Sequence, residues 1–177
     1  MTTDTYVRRT RLAAPAEEVF RWHTRPGAFE RLTPPWDRVE VVERTGGLHD
    51  GGRVTLRVPV GPFRRRWVAE HFDYQEGKLF RDRQLEGPFA SFEHTHRIEP
   101  DGPDACWLED QVVYTPPLGS FGHLVGSGLI RSRLERTFAY RHRVLADDLA
   151  AHRRFPGKAL HVLVSGSHGL VGSTLVP

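Results

Sequence analysis

The residues best suited to chemistry in this chain are the imidazoles and carboxylates of one alternating stretch, Asp82, His94, His96 and Asp110. His94 and His96 are separated by a single residue, so on an extended strand both rings point to the same face. A hairpin turning about Pro88 sets Asp82 opposite His94, and a second hairpin turning about Gly102 sets His94 opposite Asp110. Opposed Cβ atoms in an antiparallel pair lie roughly 4.5–5.5 Å apart, so an imidazole is expected in a row between two carboxylates. Phe80, Gln84, Phe92, His96, Leu108 and Val112 share that face. Such a row can fix strand register as a satisfied hydrogen-bond array, anchor the polar end of a ligand, or work as a general acid/base pair. The carboxylates favour protonated His94 and burial favours the neutral ring, two opposed pulls that spacing leaves open.

The pair His94-x-His96 could also ligate a metal, with Asp82 or Asp110 completing the set. Two histidines on an alternating strand are more often pocket lining, and no metal is expected here. Nucleophilic chemistry has less support. Cys106 begins a strand with no implied histidine neighbour, and Ser91, Ser120 and Ser127 fall in turns or loops without an elbow motif. The run Arg64-Arg65-Arg66 alternates between faces and reads as a solvated sheet edge.

The elements that must position these groups are legible in order. Tyr6 to Leu12 alternates and reads as a strand. Pro15 then opens a short helix with Glu17 and Glu18 in its first turn and Val19, Phe20 and Trp22 on its apolar side. A second short helix carrying Phe29 and Leu32 ends at Pro34-Pro35. From Asp37 to Tyr114 the period changes to two, giving strands near 38–44, 53–60, 65–74, 79–85, 91–98 and 106–114, separated by glycine and proline turns. Leu134, Phe138, Leu145 and Leu149 recur at helical spacing between about Gly128 and Arg154, an amphipathic helix to cover the sheet. Pro116 to Gly128, with Phe121, Leu124 and Val125, reads as a loop with a helical turn that could act as a lid.

Composition bounds the function classes. The 177 residues suffice for one domain of ordinary size, and no apolar stretch approaches the roughly 20 residues needed to span a bilayer. The start has no apolar run after its charges, and Cys106 is the only cysteine, so a reducing, cytoplasmic location is expected. Lys+Arg total 25 against 22 Asp+Glu. The positive charge is nearly all arginine and is interleaved with acids, which argues against nucleic acid as partner.

Strand, two short helices, six-strand meander and long C-terminal helix is the order of the α+β helix-grip fold. Together with AAPAEEVFRW at 13–22, LTPPW at 32–36, GPF at 87–89, HTH at 94–96 and YTPPLG at 114–119, it resembles the SRPBCC (START and pollen-allergen-like) superfamily over residues 5 to 154. With the tail VSGSHGLVG it is similar to the domain that precedes a nucleotide-sugar-epimerase-like Rossmann domain in bacterial proteins labelled cell-division-inhibitor-like. The resemblance implies a cavity between sheet and helix that takes apolar molecules, with a few members acting as cyclases or hydrolases. It divides the chain into a ligand-binding domain, 1–155, and a linker with the opening of a Rossmann-like unit, 156–177. Gly166, Gly169 and Gly172 match the spacing that lets backbone approach a pyrophosphate at a helix N-terminus. The acidic ribose partner and later strands do not follow them, so the site is read as vestigial, in a fragment of a longer protein or a truncated gene product. NAD(P) is expected only for a longer parent protein and no cofactor for this chain.

The leading expectation is non-enzymatic binding of a small hydrophobic or amphipathic ligand by Phe80, Asp82, Gln84, Phe92, His94, His96, Asp110, Val112, Leu134 and Phe138. An enzyme of the polyketide-cyclase, dehydratase or hydrolase type would use His94, Asp82 and Asp110 catalytically. A regulatory interaction module of an epimerase-like protein would show a collapsed cavity and an exposed apolar patch. His161 to Val164 reads as a short buried-type strand lacking neighbours, so a homodimer through residues 158–177 is also expected.

Overall fold

The computed structural model describes residues 2–117, 119–157, 161–167, 169 and 172, and for 119–125 the backbone alone. β1 (Asp4–Leu12) leads into α1 (Ala16–His23) and α2 (Ala28–Leu32). Then come β2 (Glu40–Thr45), β3 (Arg53–Val60), β4 (Phe63–Gln75), β5 (Leu79–Glu86), β6 (Ser91–Pro100), β7 (Cys106–Thr115) and α3 (Gly119–Arg154). The strands form one antiparallel sheet in the order β1-β7-β6-β5-β4-β3-β2. The hairpins fix the meander locally, and β1 closes beside β7, pairing Asp4 with Tyr114 and Leu12 with Cys106. This is the expected α+β helix-grip architecture.

Local chemistry accounts for the short helices. Glu17 and Glu18 complement the positive end of α1, Arg21 and His23 the negative end, and Val19, Phe20, Trp22 and His23 are buried. The turn into α2 places Gly27 at φ 81, a conformation open to glycine without steric cost. Register shifts in β2–β3 between Val41 and Glu43, and in β4–β5 on both sides of Ala69 to Phe72, bend the sheet so that one face is concave.

The concave face is layered. At one end Leu12, Ile98, Cys106 and Leu108 pack with Val19, Phe20 and Trp22 of α1 and with Val144, Leu145 and Leu149 of α3. At the other end Tyr6, Val112, Tyr114 and Phe138 form a second apolar group with Phe89, Phe92, Ile130 and Leu134 against it. Between them lie the buried polar side chains His94, His96, Asp110, His142 and His23. The convex face is laced with ion pairs, among them Arg9–Glu99, Arg11–Asp101 and Arg53–Glu70–Arg83. The acids interleaved in the sequence are thus the partners of its arginines.

Three expectations are corrected. The final helix begins at Gly119, not near Gly128, because the glycines of 119–128 lower helix propensity without breaking it, and extending a long helix is easier than starting one. The lid expected of Phe121, Leu124 and Val125 concerns side chains outside the described residues. The β6–β7 register is displaced by two residues: the turn is centred on Pro103, with Asp101 N–H donating to the Ala105 carbonyl, so His94 lies opposite Val112 and His96 opposite Asp110. A two-residue shift keeps every side chain on its face, which is why the shared face survives. Finally, His161–Val164 forms no strand among the described residues, and Val162 and Leu163 are exposed, Leu163 at 97%. A strand buried on both faces needs neighbours that this segment lacks.

Candidate functional site

Asp110, on β7 between β1 and β6, is the hub of the polar layer. Its Oδ1 accepts the His94 Nε2 proton at 2.9 Å, and its Oδ2 accepts the His142 Nε2 proton at 2.5 Å. His142 comes from α3, and its Nδ1 accepts the Thr10 hydroxyl of β1 at 2.7 Å. His96 Nδ1 lies 2.6 Å from Asp110 Oδ1 but is poorly aligned for a hydrogen bond. One carboxylate 3% exposed thus meets three imidazoles, two from β6 and one from α3.

Asp82 on β5 approaches the same rings from the other side. Its Oδ2 is 3.4 Å from His94 Nδ1 and 3.8 Å from His96 Nε2, and its side chain is 18% exposed, so this edge reaches solvent. These three atoms all lie within 4.8 Å of one another. His71 sits directly across from Asp82 on β4 and has a buried Nδ1 with no hydrogen-bond partner among the described residues.

The protonation of the layer follows from opposed forces. Burial works against a charge on His94, yet hydrogen bonds to Asp110 and Asp82 and the field of both carboxylates push it up to about 9. Burial takes His96 down to about 3, reinforced by the positive charge of His94 beside it. Burial would raise Asp110 and Asp82, but the imidazoles around them hold Asp110 well below the usual carboxylate range and also lower Asp82. Near neutrality the layer therefore holds an imidazolium, His94, between two carboxylates, with His96 neutral. Hydrogen bonding and the two carboxylates thus outweigh burial at His94.

The expected site residues converge, with changes of role. Phe80 stacks on His96 at 4.1 Å between ring centroids, and Phe138 meets His94 edge-on at 5.1 Å. Phe92, Val112 and Leu134 belong to the adjoining apolar group. Gln84 spends both ends of its amide on the Phe89 backbone, clamping the turn instead of facing a ligand. His142, His23, Thr10, Arg141 and His71 escaped the sequence reading. For His142 a signal existed: it falls in the apolar stripe Leu134, Phe138, Leu145, Leu149, where a polar residue marks a buried partner. The others required the fold.

The interior here is small. A cavity of about 10 Å³ is lined by His23, Leu32, His96, Leu108, Asp110, Arg141, His142 and Leu145, room for about one water. The sizeable apolar cavity expected beside the row is not found at this place among the described residues. A groove of about 290 Å³ on the convex face, lined by Val42, Thr55, Arg57, Arg64 and Arg66, is unrelated to it. There Arg57 and Arg64 pair with Glu40 and Arg66 with Glu86. Beside the polar layer, on the concave side, Trp67, Phe89 and Phe92 form a partly buried aromatic wall, with Trp67 4.9 Å from Phe92 and 5.7 Å from Phe89.

Comparison with known proteins places this arrangement. The profile of the family described as polyketide cyclase/dehydrase and lipid transport matches residues 12–141. The nucleoside-diphosphate sugar epimerase from Corynebacterium glutamicum is 30% identical, with a TM-score of 0.75. That match covers 96% of this chain but only 35% of that one, so the chain spans about a third of its relative's length. The Zhui aromatase/cyclase from a Streptomyces species is 17% identical over 89% of this chain and 100% of that one, TM-score 0.68. Norcoclaurine synthase from Thalictrum flavum is 16% identical over 85% and 88%, TM-score 0.67. The last two show the fold alone. No curated protein matches the chain.

Proposed function

The chain belongs to the polyketide cyclase/dehydrase and lipid transport family, and on that premise we propose that it binds a small apolar or amphipathic molecule on the concave face of its sheet. The ring or chain of the ligand lies against Trp67, Phe89, Phe92 and Leu134, and its polar end meets Asp82 and His94. The observation that carries this reading is the partly buried aromatic wall beside a charged imidazole–carboxylate pair whose Asp82 edge reaches solvent. Apolar walls with a few convergent polar groups are the usual make-up of small-molecule sites. The space behind the pair has room for about one water, so the ligand enters from the aromatic side, and Phe138 swings off His94 as it does. Native mass spectrometry of the purified chain, followed by titration of Trp67 fluorescence with the co-purified molecule or with a series of fatty acids and aromatic polyketides, tests this. Saturable quenching that is lost in Trp67→Phe is expected. A chain that carries no small molecule and shows no saturable change with any of the series would sink the reading.

A second reading has an observation of its own. The small interior, together with the exposed Val60 and Phe63 at one hairpin, suits a regulatory interaction module of an epimerase-like protein. The Corynebacterium relative, about three times as long, supports such a setting. An acid–base catalyst would use His94 as the proton donor to a bound carbonyl or hydroxyl, with Asp110 and Asp82 holding its charge.

A further inference from the structure

We propose that Asp82 Oδ2, His94 Nδ1 and His96 Nε2 form a binding site for one divalent transition-metal ion of the Zn²⁺ type. The argument begins with Asp110, which as a carboxylate can only accept. It takes the Nε2 proton of His94 at 2.9 Å, and a small ring rotation gives it the Nδ1 proton of His96, already 2.6 Å away. With those protons committed, the opposite nitrogen of each ring is the one turned to Asp82, and the ion takes the place of the second proton that His94 carries near neutrality, which passes to solvent. Two imidazole nitrogens and a carboxylate oxygen then converge on one point, and 3.4 Å is long for a hydrogen bond between His94 and Asp82.

These separations suit a metal better than a proton. Ligands about 2.0–2.1 Å from a tetrahedral Zn²⁺ stand roughly 3.3 Å from one another. The Asp82 distances here are 3.4 and 3.8 Å, and the whole set fits within 4.8 Å. Two imidazoles and one carboxylate select a borderline transition ion over Ca²⁺ or Mg²⁺, which prefer all-oxygen shells. Asp110 supplies the outer carboxylate that metal-binding histidines characteristically use to fix tautomer and ring orientation. The partly exposed Asp82 edge offers an entry path and leaves a fourth position for water. Arg141 lines the small cavity with Asp110 and His142. His71, with its buried unpartnered Nδ1 on the strand beside Asp82, is the nearest further imidazole.

The site does not depend on the ligand reading, since an ion can bind with or without an organic molecule on the aromatic wall. The experiment is a calorimetric titration of Zn²⁺ into the full chain after stripping with a chelator, in the absence of any organic ligand, with a parallel nitrogen-15 imidazole NMR spectrum. One equivalent bound per chain is expected, with the largest shifts at His94 Nδ1 and His96 Nε2. Asp82→Ala, at the partly exposed position, should remain folded by circular dichroism and bind at least about 10-fold more weakly. Failure of the wild-type chain to take up Zn²⁺ overturns the proposal. So does uptake that leaves the His94 and His96 resonances unmoved, which places the ion on other histidines whether or not a variant folds. Titration of the stripped chain with fatty acids reports separately on the aromatic wall.

Discussion

Two parts of the concave face, one strand row apart, are built on opposite terms. At the α1 end, Leu12, Ile98, Cys106 and Leu108 join Val19, Phe20, Leu145 and Leu149 in one apolar cluster, and the apolar surface buried there adds transfer free energy. In the next row, Asp110, His94, His96 and His142 occupy equally dry positions, where desolvating each charge works against folding. The first region needs only volume and apolarity, and many sequences satisfy it. The second needs particular atoms at particular distances, and an apolar replacement of the same shape would serve stability as well or better.

The largest effect that could break this contrast is at its hub. Asp110→Ala leaves three imidazoles without their carboxylate and should cost about 3–5 kcal/mol in urea unfolding. Replacing the layer together, as D110L with H94L, H96L and H142L, should recover a substantial part of that loss. If the joint variant is less stable than Asp110→Ala, the layer is a stabilising element and the contrast fails. Phe138→Ala, which removes the ring linking the apolar end to His94, should cost a comparable 3–5 kcal/mol as a large-to-small core change. A loss under about 1 kcal/mol would mean that the ring faces open space. Leu145→Met, a volume-conserving change in the apolar row, should cost less than about 1.5 kcal/mol.

Titration separates the two regions next, because the only ionisable group of the apolar row, the Cys106 thiol, is pushed by burial up to about 11, clear of the range in which the polar row titrates. His94 is raised from 6.5 to about 9 in the fold, so the stability it contributes is fully present below pH 6.5 and is lost as pH climbs through 9. His96 is lowered to about 3 and His23 is also lowered by burial, so below pH 6.5 the unfolded chain binds protons that the fold refuses, and stability falls with pH. Asp110 and Asp82, both depressed, add to the acid loss at lower pH. Stability measured in chelator should therefore peak near pH 6.5–7, and His94→Gln should flatten the alkaline limb. An unchanged alkaline slope in that variant would remove His94 from the account. The smallest effect on unfolding is expected at the tail. Deleting residues 158–177 should leave the unfolding midpoint within about 1 °C, as surface changes do, while light scattering shows loss of a dimer. Equal mass for both chains denies the tail that role.

Legibility in the sequence divided along the same line. Alternation and turn residues gave every strand of the meander to within a few residues, because a half-buried strand advertises its period. The Asp82–His94 pairing followed from the short turn at Pro88. The next pairing was displaced because Asp101 to Ala105 can turn about either Gly102 or Pro103, and only the Asp101–Ala105 hydrogen bond decides. Thr10 and His23 reach the layer from two distant elements, and no local period reports such a meeting, whereas the helical stripe marks His142 as buried without naming its partner. The glycine run could be placed as a turn, with Gly166 at φ 77 and no room for a side chain on Gly172 beside the Gly166 carbonyl, but not as a working site.

The closure of β1 onto β7 has a consequence in time as well as space. Hairpins of the meander can form as soon as neighbouring strands exist, whereas Asp4 must wait for Tyr114. The bond between Thr10 and His142 spans 132 positions and awaits α3 as well. Contacts so distant along the chain close late and slow the approach to the native state. The Asp110 hub, which needs β6, β7 and α3 together, is therefore expected among the late contacts, and amide exchange on β7 beside it should open only with the whole molecule. A partly folded chain presents the apolar strands without the histidine layer, so any binding the layer performs belongs to the finished fold alone.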